Sequence, residues 1–216
     1  MTKDKTTGPV RWTTVRREAQ VEFIEKKSRF IGICLPIQNS EEAEARLARC
    51  RREYAQASHW VYAWRHIFPE RGGRFSDDGE PQGTAGMPVL DVLRKQEIDQ
   101  AQILVVRYFG GVLLGTGGLV RAYGRAASEA LAAAEPYTLA LRQRLRLVVP
   151  YSCYDKMRYR LEEAGYCQEE ACFGLDTEWI VACAPEKEDQ LRKLVAEVSQ
   201  GTAICLAEGV DYAPLA

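Results

Sequence analysis

The glycine-dense stretch Gly110–Gly118 joins two strongly patterned segments and constrains the fold more than any other feature of this 216-residue chain. Ahead of it, Gln102 to Phe109 is an apolar run of strand length. Behind it, Leu119, Ala122, Tyr123, Ala126, Ala130 and Ala133 recur at helical spacing until Pro136 ends the pattern. Glycine reaches backbone angles closed to other residues, so the stretch can turn a strand abruptly into a helix. The amides of Gly115, Gly117 and Gly118 then gather at the positive end of that helix, a geometry that predicts an anion cradle. Arg121 falls in the first turn, where a cation is disfavoured unless an anion is near, and Arg125 follows one turn later. Gly124 costs roughly 1 kcal/mol against alanine inside a helix, which predicts a close neighbour there. Arg107, Tyr108, Gly115, Gly117, Gly118, Arg121 and Arg125 are therefore the candidate anion- or nucleic-acid-binding residues. The alternative is a tight turn that holds no ligand. No Lys-Ser or Lys-Thr follows the glycines, which excludes a Walker loop, and no second βαβ unit supplies the ribose carboxylate of a dinucleotide site.

The remaining patterns predict an α+β chain in two domains, 1–137 and 138–216. Gln20 to Ile37 reads as a hairpin turning at Glu25–Ser28. Asn39 with Glu42 reads as a helix start whose stripe is Ala43, Leu47, Cys50 and Tyr54. Ser58 to Phe68 alternates with bulk on both faces, as a central strand does. Pro69 to Gly86 is too rich in Gly, Pro and Asp to continue a regular element and reads as one long loop. Pro88 suits the first turn of a short helix. From Leu141 the order is strand, helix, strand, strand, helix, strand, the ferredoxin-like plan, with the domain boundary near Glu135–Ala140.

Composition narrows the function classes. Hydrophobic residues make up 46% and charged residues 27%, an ordinary globular balance. No apolar run approaches the ~20 residues of a membrane span, and the polar start lacks the apolar centre of a signal peptide, so a cytoplasmic protein with no membrane partner is expected. The seven cysteines are scattered without a C-x-x-C pair, and only two histidines accompany them. Reduced, core-filling thiols are expected, with neither metal nor cofactor. Net charge is −1, yet residues 1–137 hold 20 Lys+Arg against 17 Asp+Glu and residues 138–216 hold 9 against 13. The first domain is the one suited to an anionic partner.

Asp77, Asp78 and Glu80 form a second constellation, able in principle to hold Mg²⁺ or to serve as acid and base. The alternatives are a solvated turn or pairing with Arg65, Arg107 or Arg121. His59 completes this possible supporting site. No Ser-His-Asp or Cys-His set is legible, so no catalytic residue is named. Three functions stay open: a translation-linked binding protein for RNA or the ribosome, with Tyr108 or Trp60 available for stacking; an enzyme on a small phosphorylated or carboxylated substrate; and a protein–protein adaptor whose glycines and carboxylates only maintain the fold.

Ser28-Arg29-Phe30, Ser58-His59 with Tyr62-Ala63, Asp78-Gly79-Glu80-Pro81 with Gly83-Thr-Ala-Gly86, and Arg107-Tyr-Phe-Gly-Gly with Gly117-Gly-Leu-Val-Arg-Ala-Tyr123 together resemble the IMPACT family in its bacterial, YigZ-type form. Trp60 departs from that pattern, where the family usually has Asn. The resemblance covers roughly residues 17–135. It implies a first domain like the second domain of the small-subunit ribosomal protein five, with helices on one face of a sheet. It further implies a tail similar to the small domains of elongation factor G, and a link to translation regulation. The family's eukaryotic members restrain a starvation-responsive translation kinase by competing for its ribosome-associated activator, so a protein partner from the translation machinery is a further expectation.

Overall fold

The computed structural model describes residues 9–214, a mixed α+β chain with two antiparallel sheets and five α-helices among those residues. The backbone divides into two compact units. One is Trp12–Thr138; the other comprises, among the described residues, 139–214 together with 9–11.

The described chain opens with β1 (Arg11–Val15), a strand of the six-stranded sheet that the polar start of the chain does not predict. The five-stranded sheet of the first unit runs β2 (Ala19–Glu25), β3 (Ser28–Pro36), β6 (Ala101–Tyr108), β4 (His59–His66) and β5 (Gly72–Ser76), in that order, each pair antiparallel. Lys26 and Lys27, with φ of 45° and 66°, make the two-residue turn between β2 and β3, the left-handed conformation that matches strand twist in tight hairpins. β4 lies between β6 and β5, as its two bulky faces predict. Val61 and Ala63 enter one core cluster; Tyr62 and Trp64 enter the other.

Two clusters mean two covered faces. The helix α1 (Ser40–Glu53) begins at Asn39, whose side chain accepts a hydrogen bond from the Glu42 amide at 2.9 Å, and it buries Ala43, Leu47 and Cys50 against Ile31, Ile33, Leu35, Tyr62 and Trp64. On the opposite face, α2 (Gly86–Lys95) and α3 (Thr116–Ala133) pack on Phe30, Cys34, Ile103 and Val105. This corrects the expectation of helices on one face only. β3 and β6 alternate apolar side chains in both directions, and neither face can be left wet.

Two further expectations change. The span from Pro69 to Gly86 is not all loop, because β5 lies inside it. A Cβ on Gly73 would sit 2.7 Å from the Trp64 carbonyl oxygen, so glycine here permits strand pairing. And Gly124 admits no close neighbour, since a Cβ there would meet nothing within 4 Å. The close approach is made by Gly32 on β3, where a Cβ would lie 2.5 Å from the Ala126 carbonyl oxygen of α3.

The second unit runs β7 (Pro136–Val149), α4 (Tyr151–Glu163), the short β8 (Cys167–Gln168) and β9 (Cys172–Phe173), β10 (Thr177–Cys183), α5 (Glu188–Ser199) and β11 (Ile204–Pro214). β10 lies between β7 and the short pair, and β11 flanks β7 on its other side. Leu145, Leu147 and Val149 of β7 face Met157, Leu161, Leu191 and Val195 of the helices. Strand alternation sends Arg142, Arg144 and Arg146 to the other face, where they pair with Asp211, Glu169 and Glu208.

Candidate functional site

Arg107 lies near the end of β6, in register between Phe30 on β3 and His59 on β4. Its side chain is only 5% exposed and donates to Glu80 Oε1 at 2.6 Å and to Ser28 Oγ at 3.2 Å. The guanidinium sits 5.4 Å from the ring centres of both Phe30 and Phe109. Glu80, whose side chain is 4% exposed, also accepts from the Tyr123 hydroxyl at 2.7 Å. Burial, and then the hydrogen bond to Glu80, push the Tyr123 phenol well above its ordinary range. Arg107 is thus removed from the anion-binding set. Its charge is spent inside the protein on a carboxylate, which a buried cation requires.

The other two carboxylates go elsewhere. Asp77 accepts from the amides of Gly83, Ala85 and Gly86 at 2.8–3.0 Å and so serves the start of α2, whose N-cap Ala85 has no side chain to offer. Asp78 accepts from the Trp60 amide at 2.7 Å and from Arg51 at 2.8 Å. Three neighbouring acids thus reach three destinations, and among the described residues no group of three or more metal-ligating side chains exists. The reading of these carboxylates as a Mg²⁺ site is corrected accordingly. His59 donates from Nδ1 to the Asp78 carbonyl oxygen at 2.9 Å, and its Nε2 lies 3.7 Å from Glu80 Oε1. Arg65 joins none of them, because it pairs with Asp99 at 3.1 Å at the opposite end of β4.

The start of α3 is different. Gly115, with φ of +73°, is its N-cap; no side chain caps the helix and no acid occupies the first turn. The Leu119 amide closes the first turn on the Gly115 carbonyl at 2.9 Å, which leaves the amides before it directed outward. Arg121 is exposed and makes no ion pair among the described residues; its guanidinium folds back to 3.7 Å from where a Cβ on Gly117 would lie. Arg125 is exposed too, bonded to Glu129 at 2.7 Å and held 4.1 Å over the Phe23 ring. A cavity of about 220 Å³ opens here, lined by Phe23, Lys26, Leu114, Gly118, Arg121 and Arg125 among others. Tyr108 does not reach it. The residue after Arg107 on a strand faces the other way, and Tyr108 packs on the α1 side beside Trp60 with Arg29 over its ring at 5.4 Å. Neither aromatic named for stacking lies at this helix start; Phe23 does.

The sequence model of the Impact N-terminal domain matches residues 26–131, the stretch that contains Ser28, His59, Glu80, Arg107 and Tyr123. The chain belongs to the IMPACT family. It is 29% identical over 188 residues to the Bacillus subtilis IMPACT family member YvyE, covering 87% of each chain. It is 45% identical over 117 residues to the Escherichia coli IMPACT family member YigZ, spanning 52% of this chain and 57% of that one. A crystal structure of a hypothetical protein, 31% identical, aligns over 92% of this chain and 98% of the other with a TM-score of 0.59.

In this IMPACT-family protein, the segments that carry the resemblance therefore supply one buried cluster and one open helix start. Sequence reasoning missed Ser28 and Tyr123 as partners of the cluster, and Phe23 and Lys26 as walls of the cavity. The hairpin turn offers a signal for the last two, since its lysines must project from the end of the sheet where β6 also ends.

Proposed function

We propose that this protein binds the phosphates of RNA, on the ribosome or free, at the start of α3, as a translation-linked binding protein with no catalytic step at that site. The observation that carries the proposal is the combination at one place of an uncapped helix N-terminus, an unpaired Arg121, Arg125 and Lys26 around an open cavity. A phosphate there meets outward amides, the positive helix end and charge-assisted hydrogen bonds from guanidinium. Phe23, stacked on Phe30 at 5.4 Å, holds the Arg125 guanidinium over its ring at the wall of the cavity. The excess of basic residues in the first 137 positions adds a favourable long-range field, and the acidic second unit suits a protein partner of the translation machinery. The same reading likens the first unit to the second domain of the small-subunit ribosomal protein five and the tail to the small domains of elongation factor G.

Co-sedimentation with ribosomes and fluorescence anisotropy with a short single-stranded RNA test this reading. Binding is expected to weaken with salt, and Arg121→Ala is expected to lower both the affinity and the steepness of the salt dependence, the latter by about one charge. Equal binding by the native and Arg121→Ala proteins would remove the α3 start from the function.

A further inference from the structure

Away from the α3 start, a serine in the first turn of α1 touches a histidine at the end of β4. Ser40 Oγ lies 2.8 Å from His66 Nε2, and His66 Nδ1 lies 2.8 Å from the Glu70 carbonyl oxygen. A carbonyl only accepts, so Nδ1 carries the proton in the neutral ring. Nε2 then presents its lone pair to the Ser40 hydroxyl, which is the arrangement of a general base and its nucleophile, with a third group fixing the tautomer.

The surroundings support more than an incidental contact. His66 is 5% exposed whereas Ser40 is exposed, so the base is held rigidly and the hydroxyl is reachable. Gly72 on β5 passes so near that a Cβ would sit 2.6 Å from Nε2; only glycine leaves room for the ring. Ser40 opens a helix that follows β3 after a short turn, and the amides of Ser40 and Glu41 have no backbone acceptor among the described residues. Amides at that position supply an oxyanion with donors, the residue after the nucleophile above all.

We propose that Ser40 and His66 form a catalytic dyad for acyl transfer from small esters. Ser40 Oγ adds to the carbonyl carbon while His66 Nε2 takes its proton, and the oxyanion draws on the Ser40 and Glu41 amides. Collapse breaks the bond to the alcohol, which leaves with the proton from Nε2, and Ser40 carries the acyl group. Water then repeats the sequence and releases the carboxylic acid. No residue of the proposed RNA site takes part.

A fluorophosphonate probe with peptide mapping, and the hydrolysis of p-nitrophenyl acetate, test the dyad on the full chain. The native protein is expected to label on the peptide containing Ser40. Ser40→Ala abolishes that labelling, and His66→Gln slows it about 100-fold and removes the pH dependence of the labelling rate. Ser128→Ala serves as a serine control and labels at the native rate. Circular dichroism accompanies each variant; should His66→Gln be unfolded, the Ser40→Ala comparison and the pH profile of native labelling decide alone. Labelling no faster than in Ser40→Ala, or located on another peptide, or independent of pH, overturns the proposal.

Discussion

Arg107 and Arg121 stand at opposite ends of one glycine-rich turn and meet opposite fates. Arg107 is 4% exposed and gives its charge to Glu80, with Ser28, Phe30 and Phe109 packed about it. Arg121 is exposed, without an ion pair among the described residues, and leans over a helix end that no acid occupies. Residue type alone does not separate them. The difference comes from the element that carries each: a central strand sends every second side chain inside, whereas the outer side of a helix remains in water. A buried charge is kept by its partner, and its removal damages the fold; an exposed one is free to meet a ligand, and its removal damages binding.

The largest expected effect tests the buried half of this contrast. Arg107→Ala leaves Glu80 uncompensated and is expected to cost about 3–5 kcal/mol of stability, measured by urea unfolding. Combining Arg107→Met with Glu80→Leu is expected to recover much of that loss, because the isolated charge and not the missing cation causes it. A cost below about 1 kcal/mol for Arg107→Ala would break the comparison. Next comes Asp77→Ala, which strips three amides at the start of α2 of their acceptor and is expected to cost about 1–2 kcal/mol, as the loss of a helix cap does. Arg121→Ala should leave stability within about 0.5 kcal/mol while it reduces RNA binding. A stability loss comparable to that of Arg107→Ala would show that Arg121 has a structural partner after all.

What was legible in the sequence follows the same division. Local patterns located most elements, because the alternation in Ser58–Phe68, the Asn39 cap and the stripe after Gly118 are each set by neighbours in the chain. Lys26 and Lys27 even turn the hairpin at the predicted place. Pairing was not legible to that degree. Nothing within Asp77–Glu80 says that the first acid serves α2, the second Arg51 and the third Arg107, since the choice depends on how β4, β6 and α3 come together. Gly32 reads as a weak point in an apolar strand until Ala126 lies over it. The Ser40–His66 contact has no local signal either: the partners lie on different elements and match no spaced motif.

The smallest expected effect separates Arg125 from both of the other arginines. It is exposed like Arg121 but bonded like Arg107, to Glu129 one turn on, with both side chains about half exposed. An exposed pair of this spacing contributes about 0.3–0.5 kcal/mol and weakens with salt, so Glu129→Gln should scarcely move the unfolding midpoint. Its effect on binding has the opposite sign from that of Arg121→Ala. Without the Glu129 carboxylate the Arg125 guanidinium has one competitor fewer for a phosphate in the cavity beside Phe23, and RNA affinity is expected to rise about two- to threefold, the equivalent of about half a kcal/mol. Weaker binding would mean that Glu129 holds Arg125 in its binding position, and the pair would then belong with the buried cluster as a positioning device.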